Sequence, residues 1–133
     1  MTVVVVDASV VVDLILDLPP HATRIWQRLG TRTSWAAPHL LDAEVAHVLR
    51  NRVLQGKLSS AGALSALSDF VSLSIERFAH TALLQRAFGL RDNATLYDAL
   101  YLALAEALDA PLLTRDRALA RIPGVEARVE VFA

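Results

Sequence analysis

Four acidic residues stand beside or inside apolar runs, where a carboxylate is otherwise unusual. Asp7 directly follows a run of β-branched residues, and Asp116 comes two residues after a second short apolar run. Glu44 and Asp98 lie in the early turns of two predicted helices that are rich in apolar residues. Because the acids are hard oxygen ligands and no soft donor lies nearby, they favour Mg²⁺ or Mn²⁺. Ions of this kind usually hold a phosphate and activate a water for in-line attack.

Structural explanations also exist for each acid taken alone. Asp7 suits a turn, in which its side chain bonds to the backbone. Thr95 and Asp98 fit a capping box, with the carboxylate reaching back to the Thr95 N–H. Asp42 and Glu44 are favoured in the first turns of a helix by its dipole, and we accept that explanation for Asp42. Only the positions of these acids relative to the predicted strands and helices can separate a structural role from metal binding.

The residues before Asp7 predict the centre of a sheet. Thr2 to Val6 are β-branched without alternation, which is typical of a strand buried on both faces of a parallel sheet. Asp7 then lies at the carboxyl end of that strand, where open α/β sheets bind their ligands. Ser9 is predicted to cap a helix over Val10 to about Leu16.

A second buried unit is predicted near the end of the chain. Nearly all residues from Leu96 to Leu108 are apolar, which predicts a helix covered by neighbours on several sides. Pro111 follows that helix, and residues 112–114 predict a short buried strand. Asp98 therefore lies near the start of a predicted core helix, and Asp116 lies just after a predicted core strand.

The remaining pattern alternates helices and strands. We predict helices at 21–29, from Pro38 to Gln55, at 59–71, at 80–90 and at 115–121, and strands at 35–37, 72–78 and 125–132. The predicted apolar face of the helix at 59–71 consists of Leu64, Leu67, Phe70 and Val71. This order of elements indicates an α/β fold with a mostly parallel sheet, in a single domain spanning residues 1–133.

Composition argues against several other classes of protein. The chain of 133 residues has no cysteine, so it has neither disulfides nor thiolate metal sites. Its five glycines are scattered and its four histidines lack ligand spacing, which argues against phosphate-binding loops and histidine metal sites. The net charge of −1 gives no general attraction to nucleic acid. The sequence shows no transmembrane run and no leader peptide, so we expect a cytoplasmic protein. Its high apolar content predicts that part of its surface is covered in an oligomer or by a partner.

Four segments, in this order and spacing, carry a resemblance to a known family. They are VVVVDASVVVDLIL, HLLDAEVAHVLR, ATLYDALYLALAEAL and LLTRD, and the similarity runs from Val3 to about Val131. The chain strongly resembles the PIN domain and, within it, the VapC toxins of bacterial toxin–antitoxin pairs. The resemblance implies a PIN-like three-layer α/β/α fold around a mostly parallel sheet of four to five strands.

The same resemblance implies an activity and a site. PIN domains are metal-dependent endoribonucleases, and the products of RNA hydrolysis would carry a 5′-phosphate and a 3′-hydroxyl. Mg²⁺ is the implied cofactor, with Mn²⁺ as a substitute. The family's metal-binding catalytic acids match Asp7, Glu44, Asp98 and Asp116, and its supporting hydroxyls match Ser9 and Thr114.

The resemblance also implies partners. These are a VapB-like antitoxin, a second copy of the chain in a homodimer, and a structured RNA such as tRNA or rRNA as substrate. Arg115, Arg117 and Arg121 follow the last acid and are candidates for contacts to the RNA backbone. A solvated helix face is the alternative explanation for these arginines.

Two functions of other classes compete with a nuclease. A phosphatase of the aspartate-x-aspartate type needs a second acid at the position of Ser9, and a phosphoacceptor receiver needs a lysine at a late strand end. The only lysine, Lys57, follows a helix, so both are disfavoured. A catalytically silent PIN-like interaction module stays open as the alternative.

Overall fold

The computed structural model of the chain describes residues 2–133. Its strands are β1 (Thr2–Val6), β2 (Thr33–Pro38), β3 (Ile75–Phe78), β4 (Leu112–Thr114) and β5 (Val129–Val131). Its helices are α1 (Ala8–Leu16), α2 (His21–Leu29), α3 (Leu40–Leu54), α4 (Ser60–Ser72), α5 (Leu84–Gly89) and α6 (Leu96–Leu108), with a 3₁₀ helix at Arg117–Arg121. The strands pair in the order β3-β2-β1-β4-β5, and each pair is parallel.

β1 lies at the centre of the sheet, as its unbroken β-branched sequence predicts. Val4, Val5 and Val6 are each at most 1% exposed. Val4 and Val6 pack with residues of α1 to α4 on one face, whereas Val5 packs with α5 and α6 on the other. Two helical layers therefore cover the sheet, which confirms the predicted α/β/α arrangement.

α6 is buried along its middle, as its apolar sequence predicts. Residues 99–105 are all buried, and they form the centre of the second core cluster together with residues of α5 and β4. Thr95 caps the helix, because its Oγ1 accepts a hydrogen bond of 3.1 Å from the Asp98 N–H. Within residues 2–133 no helix has the length and apolar character needed to cross a membrane.

Two predicted helix starts are wrong. α1 begins at Ala8 rather than Val10, because the carboxylate of Asp7, and not Ser9, accepts the Val10 N–H and caps the helix. Pro38 is the last residue of β2 rather than the first of α3. The registered pairing of β2 with β1 ends at Ala36, so a proline two residues later is tolerated there.

The predicted apolar face of α4 is only partly correct. Phe70 is buried and Leu67 is partly buried, but Leu64 is 68% and Val71 is 74% exposed. The helix instead turns the small side chains of Ala63 and Ala66 inward, which allows a close approach to α1 and α3.

The other differences concern element lengths. β5 covers only Val129–Val131 of the predicted 125–132, and α5 only Leu84–Gly89 of the predicted 80–90. α2 has the predicted bounds, and β3 is an edge strand as predicted.

Candidate functional site

Asp7 and Asp116 follow neighbouring strands of the sheet. β1 ends one residue before Asp7, and β4, which pairs directly with β1, ends two residues before Asp116. The Asp7 N–H donates to the Leu113 carbonyl at 3.2 Å, so the ladder between the two strands extends as far as the acid. The carboxyl ends of parallel strands meet at one edge of a sheet, and both acids accordingly stand at that edge.

The carboxylate of Asp7 is buried and fixed by three donors. Ser9 Oγ donates to its Oδ1 at 2.5 Å, the Val10 N–H donates to Oδ1 at 3.2 Å, and Thr114 Oγ1 donates to Oδ2. Burial raises the pKa of Asp7 from its ordinary value of 3.8 to about 6, and the charge of Glu44 acts in the same direction. The three hydrogen bonds oppose this shift without cancelling it. Ser9 and Thr114 thus each hold one oxygen of the Asp7 carboxylate.

Glu44 is half-buried, and its carboxylate is held by a tyrosine of α6. Tyr101 Oη donates to Glu44 Oε1 at 2.6 Å. Burial raises the pKa of Tyr101 strongly, followed by its bond to Glu44 and by the charges of Glu44, Asp7 and Asp98. Tyr101 therefore lies among three of the four predicted acids. Its phenol inside a mostly apolar helix is the sequence signal that could have identified Tyr101 as a site residue. A buried tyrosine hydroxyl needs a polar partner.

Asp98 and Asp116 form a second pair of acids. Burial raises the pKa of Asp98, the charge of Asp116 raises it further, and a hydrogen bond with Thr95 lowers it. The Asp116 N–H donates to Thr114 Oγ1 at 3.0 Å, and Asp116 Oδ1 accepts the Ala118 N–H at 2.9 Å. Thr114 therefore links Asp116 to the site of Asp7 through one hydroxyl.

The donor set fits a hard divalent cation in its chemistry. The charges that raise the pKa values of Asp7 and Asp98 are those of other carboxylates, so negative charge accumulates at this edge. The acids interact as two pairs, Asp7 with Glu44 and Asp98 with Asp116. Across residues 2–133, no three acidic or histidine side chains already stand close enough together to hold a metal ion. Carboxylates at one edge repel one another, and a bound divalent cation would reduce that repulsion.

The raised pKa of Asp7 predicts a loss of stability with rising pH in metal-free protein. Because the folded state holds this proton more tightly than the unfolded chain, the stabilisation is complete below about pH 4 and is lost as pH rises through about 6. The full difference is about 3 kcal/mol in the free energy of unfolding. Urea unfolding in EDTA between pH 4 and 7.5 measures it, and Asp7→Asn should flatten the curve over that range. A slope that is the same in both proteins would contradict this assignment.

Arg115 is committed to contacts within the protein. Its Nε lies 3.2 Å from Oδ2 of the buried Asp13 and donates to the Phe132 carbonyl at 3.4 Å, while a terminal nitrogen lies 3.5 Å from His21 Nε2. Its backbone N–H donates to Ser9 Oγ at 3.0 Å. Within residues 2–133, Asp13 Oδ2 has no well-aligned hydrogen bond, so the positive charge of Arg115 is its main compensation. Sequence reasoning missed Asp13, since its partners are distant in the chain.

The other two arginines of the predicted RNA-contact set are exposed and unpaired, unlike Arg115, in the part of the chain that the structure describes. Arg117 and Arg121 are exposed, and no ion pair engages either of them in the part of the chain that the structure describes. These two guanidinium groups are therefore available to a phosphate, whereas that of Arg115 is already paired.

This difference predicts unequal effects on stability. Arg115→Ala should lower the free energy of unfolding by about 1–3 kcal/mol, because it leaves the carboxylate of Asp13 buried with less opposite charge. Asp13→Asn in the same protein should recover part of that loss. The control, Arg117→Ala, should change stability by less than about 0.5 kcal/mol. Urea unfolding measures all three variants, and equal losses from the two alanine changes would contradict the proposed ion pair.

Comparison with known proteins identifies the family. The PIN domain family matches residues 4–125. Ribonuclease VapC1 of Mycobacterium tuberculosis is 44% identical over 128 residues, which are 96% of either chain. Ribonuclease VapC12 of the same organism is 37% identical over 130 residues, or 98% of this chain and 99% of the relative.

Solved structures share the fold. VapBC2 from Rickettsia felis, crystallised with a DNA fragment from its promoter, matches with a TM-score of 0.72 at 19% identity, over 99% of this chain and 100% of that chain. VapC20 of Mycobacterium tuberculosis, a toxin that cleaves the sarcin–ricin loop, matches with a TM-score of 0.69 at 18% identity, over 94% of this chain and 98% of that chain. Sequence and fold agree, and the chain belongs to the PIN domain family and, within it, to the VapC ribonucleases.

Proposed function

We propose that this chain is the toxin of a VapBC-type pair and a metal-dependent endoribonuclease that hydrolyses RNA phosphodiester bonds. The observation that carries the proposal is the accumulation of carboxylates at the carboxyl edge of β1 and β4, where burial raises the pKa of Asp7 to about 6. Relatives that share 44% and 37% of its residues are ribonucleases by name, which supports the same chemistry here.

Asp7, Glu44 and Asp98 would hold one Mg²⁺ or Mn²⁺, and Asp116 would help to hold that ion or a second. When bound, such an ion polarises the phosphate and lowers the pKa of a water for in-line attack. The chain supplies the orientation of the ligands: Ser9 and Thr114 fix both oxygens of Asp7, and Tyr101 fixes one oxygen of Glu44. The products expected from the family resemblance carry a 5′-phosphate and a 3′-hydroxyl.

RNA binding needs positive charge beside these acids. Arg117 and Arg121 are exposed on the 3₁₀ helix that Asp116 caps, so they are the arginines that we expect to contact the RNA backbone. Arg115 has a structural role instead, because its guanidinium is paired with Asp13.

The nuclease is tested by incubating the purified protein with total bacterial RNA. We expect cleavage in Mg²⁺, loss of cleavage in EDTA, and recovery when Mg²⁺ is restored in excess. Structured RNA such as tRNA or rRNA should supply the main cut sites. Intact RNA under all three conditions would favour the alternative, a catalytically silent interaction module, although the presence of all four acids speaks against it.

We also propose that the protein forms a homodimer and binds a VapB-like antitoxin in the cytoplasm. Leu54 on α3 and both Leu64 and Val71 on α4 are at least 68% exposed, and apolar side chains of this size favour burial by a partner. Known structures of VapBC assemblies with the same fold support a protein partner of this kind. Co-expression with the product of the neighbouring gene should give a complex with little nuclease activity. A protein that is monomeric at micromolar concentration and binds no such product would contradict this part.

A further inference from the structure

An apolar trough opens directly beside the acidic edge. Its volume is about 530 Å³, and it lies between α3 and the start of α6. Three of its wall residues are tied to the acids: Ala8 follows Asp7, Tyr97 precedes Asp98, and Glu44 is itself part of the wall. A ligand whose phosphate is held by the acids would therefore have its next group at the mouth of this trough.

The walls of the trough suit a flat aromatic ring. Leu40 and Val48 contribute apolar surface, and His47 contributes an imidazole. Tyr97 lies in the first turn of α6 and is 61% exposed, although its ring carries a large apolar surface. Aromatic side chains that stand exposed beside a phosphate site are suited to stacking on bases, which all have a π-face.

We propose that this trough binds one nucleobase of the RNA substrate, adjacent to the scissile phosphate, with the base stacked on the ring of Tyr97. The proposal rests on the proposed ribonuclease function and adds a subsite to it. In RNA each sugar lies between two successive phosphates, so a phosphate at the acids carries a base within one nucleotide on either side. The trough is lined by Glu44 itself and by Ala8 and Tyr97, the chain neighbours of Asp7 and Asp98.

A side chain of a protein partner is the competing occupant. The most exposed leucine and valine side chains lie outside the trough, at Leu54 on α3 and at Leu64 and Val71 on α4. Those residues offer a partner its apolar surface without using the trough. Nearness to the acids therefore favours substrate over partner as the occupant of the trough.

The test uses the full-length protein and a defined RNA probe. Cut sites are first mapped in total bacterial RNA, and a ten-nucleotide single-stranded RNA is made around one of them. Two further probes each lack the base on one side of the cut. Binding is measured by fluorescence anisotropy in Ca²⁺, which carboxylates also bind, with a gel to show that the probe stays intact.

Tyr97→Leu should weaken binding of the complete probe about 5- to 150-fold, the range measured when a stacking aromatic is lost. The same variant should bind one of the two base-deleted probes as tightly as the wild type does, because the interaction is already missing. Tyr97→Phe should bind like the wild type. Phe88→Leu is the matched control, since Phe88 is a 60% exposed aromatic on α5, outside the trough.

Three results would overturn the subsite. Equal binding by Tyr97→Leu and wild type, or an equal loss on complete and base-deleted probes, would show that no base stacks on Tyr97. Loss of binding to the neighbouring gene product alone, with RNA binding intact, would assign the trough to a protein partner. In each case a wild-type protein that still cuts RNA leaves the nuclease assignment standing. If the wild type cuts no RNA, the proposed function fails and the subsite fails with it.

Discussion

Asp7→Asn and Asp98→Asn are each expected to reduce RNA cleavage on the order of a thousandfold, with the protein still folded. Each change replaces a charged oxygen ligand by a neutral amide at the edge where β1 and β4 end, and the loss of one electrostatic stabiliser at a reaction centre has effects of about this size. Neither change removes packing volume, so we expect both variants to stay folded. Cleavage rates at saturating Mg²⁺ measure the effect, with circular dichroism as the check on folding.

Asp42→Asn is the matched control for these two variants. Asp42 also lies on α3, two residues from Glu44, but it is exposed and its carboxylate pairs with Arg77 at 2.9 Å. Its loss should leave the cleavage rate nearly unchanged. If Asp98→Asn cuts RNA as fast as the wild type, the assignment of the acids is wrong.

Mn²⁺ should raise the melting temperature of the wild-type protein by about 10 °C at a hundredfold excess over its dissociation constant. A ligand that binds only the native state at that excess adds about 2.7 kcal/mol to the free energy of unfolding, and a domain of this size gains a few degrees per kcal/mol. The carboxylates of Asp7 and Glu44, whose charges repel each other in the metal-free protein, would repel each other less with a bound cation.

The asparagine variants separate a metal bound at the acids from one bound elsewhere. Asp7→Asn should stabilise the metal-free protein at pH 7, because it removes a buried carboxylate whose pKa burial has raised. The same variant and Asp98→Asn should lose most of the shift with Mn²⁺. An identical Mn²⁺ shift in all three proteins would place the ion at another site.

The parts of the fold that were predicted well are those whose burial is evident from a run of consecutive apolar residues. β1 has β-branched residues on both of its faces and α6 is apolar on nearly all sides, so their places in the core followed without knowledge of their neighbours. The position of Asp7 at the carboxyl end of β1 followed in the same way. The role of the four acids in binding metal stays a prediction that the experiments above address.

The parts that sequence predicted poorly depend on contacts between distant residues. Tyr101 is buried with the rest of α6, but its hydrogen bond to Glu44 could not be predicted because the two residues are 57 positions apart. The ion pair of Arg115 with the buried Asp13 could not be predicted, because the two residues are far apart in the chain. In α4 the exposed Leu64 and Val71 were wrongly assigned to the apolar face, since close packing against other helices favoured alanines.

The position of bound Mn²⁺, located by its anomalous scattering in crystals of the wild-type protein and of Asp98→Asn, tests the central claim most directly. The claim is that the acids after β1 and β4, with Glu44 and Asp98, form the metal site of a ribonuclease. We predict a peak bordered by the carboxylates of Asp7, Glu44 and Asp98 in the wild type, and a weak or absent peak in the variant. A peak away from these carboxylates, or one of equal height in both crystals, would contradict the claim.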